Sequence, residues 1–179
     1  MRRELANPRD ERMSLVLELA TPADTERLGR AVGERLRAGD VVVLSGPLGA
    51  GKTVLARGIG AGLGVRGPVT SPTFVIAREH PALPGGRGVP LVHVDAYRLG
   101  DITELDDLDL DTDLLTAAVV VEWGEGMAER LAEEHLLIRL DRPDDDNGER
   151  RIAQLRGPAR LIPAPMSPMV ALEPEMCSP

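Results

Sequence analysis

The stretch SGPLGAGKT, residues 45–53, constrains the fold more than any other part of the chain. The apolar run VVVL, 41–44, leads straight into it, and a helix-forming stretch, 52–63, leads straight out. A continuous apolar run suits a parallel strand buried on both faces. Gly46, Gly51, Lys52 and Thr53 satisfy the spacing G-x-x-x-x-G-K-[ST]. In such a loop the glycines let backbone amides approach phosphate oxygens. The helix that follows aims its positive end at the same oxygens. Lys52 reaches the β- and γ-phosphates as a point charge, and the Thr53 hydroxyl coordinates Mg²⁺. With this chain's own glycine, lysine and hydroxyl frequencies, a chance match is on the order of one in a thousand. Lys52 is also the single lysine among 21 basic residues. A chain that otherwise uses arginine keeps lysine where a compact ammonium is needed.

The rest of the chain reads as alternating strands and helices. Strands are expected at 15–19, 41–44, 75–79, 91–95, 117–122, 135–140 and 150–157, the last pair joined by a turn. Helices are expected at 23–37, with Thr21 as N-cap and Pro22 in the first turn, at 52–63, and in short form at 127–132. The acidic stretch 101–113 reads as short surface turns. This pattern predicts a three-layer α/β fold of the P-loop NTPase type, with a mostly parallel central sheet and an antiparallel edge. Residues 1–13 read as a flexible N-terminal segment and 14–157 as one domain. From 158 to 179 the composition turns rich in Pro and Met without a period, which predicts a disordered tail or a loosely docked arm.

Open α/β sheets bind ligands at the carboxyl ends of their strands. Two acids end expected strands, Asp95 after LVHV and Glu122 after AAVVV, and either can complete a magnesium site. The three aromatic residues, Phe74, Tyr97 and Trp123, all adjoin these strand ends. Lys52 is committed to the loop, so the lysine of a guanine-reading N-K-x-D motif is lacking, which favours ATP over GTP.

Composition narrows the setting. A net charge of −8 argues against autonomous binding to DNA or RNA, which needs clustered Lys and Arg. The apolar runs fall short of the roughly 18 residues of a membrane span. The polar start MRRELANPRDERM is unlike a signal peptide. One cysteine, Cys177, leaves no internal disulfide, and a reducing cytoplasm is expected.

GPLGAGKT, TSPTF, HVDAYRL and VVVEWGE, in this order and spacing, resemble the TsaE (YjeE) family over residues 15–157. The resemblance implies a cytoplasmic, weakly hydrolysing ATPase of bacterial tRNA threonylcarbamoyladenosine synthesis. It implies association with the TsaB and TsaD proteins, and contact with tRNA only through them. It also implies site roles. Lys52 and the amides of Gly49, Ala50 and Gly51 would hold phosphates, with Gly46, Leu48 and Val54 beside them. Thr53 and Glu122 would hold Mg²⁺, and Thr73 would sense the γ-phosphate. Asp95 would position the attacking water, supported by His93, Tyr97 and Arg98, with the Asp95 and Glu122 roles open to exchange. Trp123 would line the site, and Thr21 and Thr25 would lie near the adenine. Pro47 and Gly124 depart from the family's common Asp and Pro. Two rival readings remain: a P-loop small-molecule kinase, in which RPDDDNGERR would act as a lid, and a non-catalytic module that ATP orders for a partner.

Overall fold

The computed structural model describes residues 12–71, 76–98, 110–126, 131–132, 134–143, 148–165 and 170–172. Its strands are β1 (Arg12–Leu19), β2 (Val41–Ser45), β3 (Ala77–His80), β4 (Leu91–Asp95), β5 (Ala118–Glu122), β6 (Leu136–Asp141), β7 (Arg151–Pro158) and β8 (Val170–Leu172). Its helices are α1 (Pro22–Gly33), α2 (Lys52–Leu63) and α3 (Leu110–Leu114). The strands form one sheet in the order β3-β4-β5-β2-β6-β7-β1-β8. The centre, β4-β5-β2-β6, is parallel, and both flanks are antiparallel. The expected fold is therefore present, with antiparallel pairing on two edges.

The period of two along each strand divides the core. Val42, Leu44, Ala118, Val120, Leu136 and Ile138 face the layer containing Leu28, Val32, Leu55 and Ile59 of α1 and α2. Val41, Val43, Val92, Val94, Val119 and Val121 face the opposite way, towards Leu110 and Leu114 of α3. The valine runs are thus explained by burial on both faces. The helix expected at 127–132 falls mostly outside the described residues, as do 101–109 of the acidic stretch.

Helices α1 and α2 approach until their backbones touch. Gly29 and Gly33 on α1 meet Gly58 and Gly62 on α2. A Cβ on Gly33 would lie 2.1 Å from the Ile59 carbonyl oxygen, and one on Gly62 would lie 2.1 Å from that of Arg30. This contact places the start of α1 beside the phosphate-type loop, so that Thr25 Cγ2 is the nearest atom to a Cβ built on Gly51.

The segment after β7 is docked in its described part. Leu161 and Ile162 are buried in the core shared with α1 and α2. Both nitrogens of the Arg160 fork bond the Asp40 carboxylate. Strand β8 adds to the free edge of β1. Its Pro- and Met-rich composition carries no period and so conceals these anchors.

The start of α1 is held by a capping box. Asp24 N donates to Thr21 Oγ1 at 3.2 Å, and Thr21 N donates to Asp24 Oδ2 at 2.9 Å. Burial alone would raise the Asp24 carboxyl, but hydrogen bonds from Thr21 and Arg27 together hold it below its ordinary 3.8. Its contribution is therefore full above the unfolded value and fades as pH falls through the lowered folded value. We expect Asp24→Asn to lose about 0.5–2 kcal/mol at pH 7. In urea unfolding the gap from the parent should close as pH drops below 3.8.

Candidate nucleotide site

Residues 46–51 bridge the end of β2 to the start of α2, and two of their glycines are obligatory. Gly46 has φ 132°, and a Cβ there would lie 2.1 Å from the Leu140 carbonyl oxygen of β6. Gly51 is the N-cap of α2 with φ 101° and no side-chain capping bond. The loop therefore lies against the sheet's end, with the helix's first turn uncapped by any side chain. The Ala50 amide donates to the Pro47 carbonyl at 3.1 Å, so this one of the three expected phosphate-facing amides serves the loop's own turn.

Lys52 is buried, 5% exposed. Its Nζ donates to the carbonyls of Gly46 at 2.7 Å and Pro47 at 2.9 Å. Its ammonium also lies 3.6 Å from the centre of the Trp123 ring, a cation–π contact. Burial pulls the Lys52 pKa below its usual value, while the Glu122 and Asp95 carboxylates pull it back up. Trp123 reaches this position from a left-handed backbone, φ 63°, a strain of about 1–3 kcal/mol. Its amide donates to the Leu44 carbonyl at 2.9 Å. The Tyr97 ring lies tilted against the indole, with ring centres 5.1 Å apart.

Parallel register brings the strand-end acids to one level: Asp95 pairs with Glu122, and Glu122 with Leu44. The two carboxylates differ in partners. Glu122 accepts from Thr53 Oγ1 at 3.2 and 3.3 Å and meets His93 Nε2 at 2.9 Å. Asp95 Oδ1 accepts from the Tyr97 amide at 3.1 Å. His93, expected beside Asp95, therefore bonds Glu122. Thr53 and Glu122 supply hard oxygen donors of the kind Mg²⁺ takes together with phosphate oxygens and water.

A cavity of about 400 Å³ collects most of the residues singled out in the sequence. Lys52, Thr53, Asp95, Tyr97, Glu122 and Trp123 line it, and Leu48, Gly49, Gly51 and Val54 complete the loop side. Leu48 stands at the mouth, 87% exposed. Ala50 lies buried behind the loop. Thr73 and Phe74 fall outside the described residues, as does the side chain of Arg98. Thr25 and Pro22 line a smaller hollow of about 130 Å³ on the far side of the loop, together with Glu149 and Arg151. Thr21 caps α1 beside this hollow.

Two contacts were not legible in the sequence. Arg151, at the start of β7, donates from Nε to the Ala50 carbonyl at 3.1 Å. Ser45 bonds the Glu125 carboxylate. Each joins residues about 80 to 100 positions apart, and no motif marks such a pair.

The two loop glycines Gly46 and Gly49 separate two kinds of cost. A Cβ on Gly49 (φ 76°) meets nothing within 4 Å. Gly49→Ala should therefore cost about 1–2 kcal/mol, from its backbone alone. Gly46→Ala adds a backbone clash and should cost about 2–4 kcal/mol or more. Urea unfolding of both variants checks the order.

Comparison with known proteins bears on this arrangement. The family model for threonylcarbamoyl adenosine biosynthesis protein TsaE matches residues 19–152. The tRNA threonylcarbamoyladenosine biosynthesis protein TsaE of Streptomyces coelicolor is 62% identical over 123 residues, covering 68% of this chain and 82% of that protein. The protein of the same name from Mycobacterium tuberculosis is 63% identical over 126 residues, covering 66% and 74%. That of Bacillus subtilis is 39% identical over 130 residues, covering 72% and 78%. The crystal structure of YdiB from B. subtilis aligns with a TM-score of 0.63 at 26% identity, over 85% of this chain and 90% of that one.

Proposed function

The chain belongs to the TsaE family of threonylcarbamoyl adenosine biosynthesis proteins, and on that premise we propose that it binds ATP with Mg²⁺ and hydrolyses it slowly in support of tRNA threonylcarbamoylation by TsaB and TsaD. One observation carries this reading. An ammonium, a hydroxyl and two carboxylates converge at the mouth of a single cavity, at the carboxyl ends of parallel strands. The adenosine end fits the hollow beside Thr25 and Pro22.

Lys52 exchanges the Gly46 and Pro47 carbonyls for β- and γ-phosphate oxygens. The amides of Gly49 and Gly51 and the uncapped start of α2 donate to the same chain of oxygens. Thr53 and Glu122 would hold Mg²⁺, which would supply neutralisation of charge across the phosphates. Asp95 accepts a hydrogen bond from a water and orients it towards the γ-phosphorus. Trp123 and Tyr97 wall the cavity and limit bulk water. The products are ADP and inorganic phosphate.

The net charge of −8 fits a protein that leaves tRNA to its partners. Among the described residues no helix is long and apolar enough to cross a membrane, in keeping with a role in the cytoplasm.

Calorimetry and a reconstituted modification assay test the reading together. Lys52→Ala should weaken ATP binding about 10- to 100-fold, the loss of a charge-assisted contact, and abolish modification with TsaB and TsaD. Glu122→Gln should keep Mg²⁺-free nucleotide binding and lower hydrolysis about 10²-fold or more. No binding heat from any adenine nucleotide with the parent protein, or full modification by Lys52→Ala, overturns the proposal.

A further inference from the structure

Strand β4 reads LVHVD, and its alternation places Leu91, His93 and Asp95 on the face covered by α1 and α2. On β5 the same face carries Ala118, Val120 and Glu122. Pairing sets His93 opposite Val120, one step below Glu122. On the β5 side this row runs through aliphatic Val120, Val42 and Leu136, while on the β3 side the exposed Arg78 pairs with His93, which is itself 0% exposed. The pattern alone calls for leucine or valine at position 93. An imidazole placed there loses its hydration and recovers only part of it. Nε2 meets Glu122 Oε1 at 2.9 Å, while buried Nδ1 has no hydrogen-bond partner among the described residues. Neighbouring His80 provides no obvious relief. Its ring centre is 6.5 Å away, and its own Nε2 is also without a partner.

A buried polar group with one nitrogen unsatisfied costs stability relative to an aliphatic side chain. What the imidazole provides is a fixed direction for Glu122. With Nε2 donating, the carboxylate is held between His93 below and the Thr53 hydroxyl at 3.2 and 3.3 Å. Glu122 is almost fully buried, so these bonds set which oxygen lone pairs face the cavity.

We propose that His93 is a positioning residue: it orients the Glu122 carboxylate so that Glu122 and Thr53 together present oxygens to Mg²⁺. This rests on the nucleotide reading above. It assigns His93 to the acid bonded to Thr53, in place of the water-positioning Asp95. Outer partners of this kind typically govern metal affinity by about 10–100-fold.

The test uses the full chain and reads binding. ADP affinity is measured by calorimetry in EDTA and across a Mg²⁺ series for the parent, His93→Leu and His93→Gln. Gln places an amide nitrogen near the Nε2 position; Leu restores the aliphatic row. His93→Leu should bind ADP in EDTA within about twofold of the parent and need about 10–100-fold more Mg²⁺ for the metal-supported gain. His93→Gln should recover most of that loss. Equal Mg²⁺ dependence in all three proteins overturns the proposal and leaves His93 a core histidine. A parent that binds no ADP overturns the nucleotide reading instead.

A second measurement needs neither nucleotide nor a substitution at 93. In ¹⁵N-histidine-labelled protein the His93 ring should be the tautomer protonated at Nε2. Its Nε2 resonance should move in Glu122→Gln, while the His80 tautomer stays unchanged. A His93 signal indifferent to Glu122→Gln overturns the proposal even if His93→Leu does not fold.

Discussion

A buried ammonium organises the carboxyl end of the sheet. Lys52 is removed from water, and the cost of that removal pulls its pKa down, as burial does to any cation. The protein replaces the lost hydration with three kinds of negative or electron-rich group. These are the Gly46 and Pro47 carbonyls, the Trp123 face, and the Asp95 and Glu122 carboxylates. They come from three separate parts of the chain, 46–47, 95 and 122–123. Removing the ammonium would leave two nearly buried acids at one level of the sheet without the cation they share, so loop, indole and acids depend on one charge.

The sheet order makes that meeting possible. β2 runs between β5 and β6, and β5 runs between β2 and β4. The parallel register carries Leu44, Glu122 and Asp95 to the same height. An antiparallel neighbour at β5 would send Glu122 to the opposite end of the sheet. The antiparallel pairs are kept to the flanks, with β3 on one side and β7, β1 and β8 on the other. The α1–α2 glycine contact then fixes how far α1 stands from the loop, because no side chain separates the two backbones.

Much of this is legible in the sequence where the signal is local. The loop motif, the valine runs of β2 and β5, the Thr21 cap and the acids ending LVHVD and AVVVE each combine residue type with a short spacing. The seven expected strands lie within a few residues of their places, and β8 is not among those expected. What sequence reading loses is pairing across distance. His93 and Glu122 are 29 positions apart, and LVHVD gives no sign of which strand-end acid its histidine faces. The four glycines at the α1–α2 contact are visible as letters, but a helix pattern counts them as weak helix formers; only the partner helix makes them contact residues. For the segment after β7 the choice between a disordered tail and a docked arm stays open in the sequence for the same reason. Leu161 and Ile162 have no periodic company, and the core they join is built from residues distant in the chain.

The loop is gripped from both sides, and the two grips differ in chemistry. Inside, Lys52 draws the carbonyls of Gly46 and Pro47 towards the cavity. Outside, Arg151 takes the Ala50 carbonyl and reaches that of Gly49 at 3.4 Å. In a trans peptide the C=O and the following N–H point in opposite directions. Arg151 therefore turns the Gly51 amide away from β7 and towards the cavity side. Its fork is further spread over the Gly148 and Arg150 carbonyls, which fixes it to the start of its own strand. An arginine held by four carbonyls has no reason to follow a phosphate. A lysine with three rotatable donors on a flexible stem can release two carbonyls and take others. The outer cation thus shapes the loop in every state, while the inner one is free to exchange partners. This division accounts for a single lysine at position 52 in a chain that otherwise meets its need for positive charge with arginine.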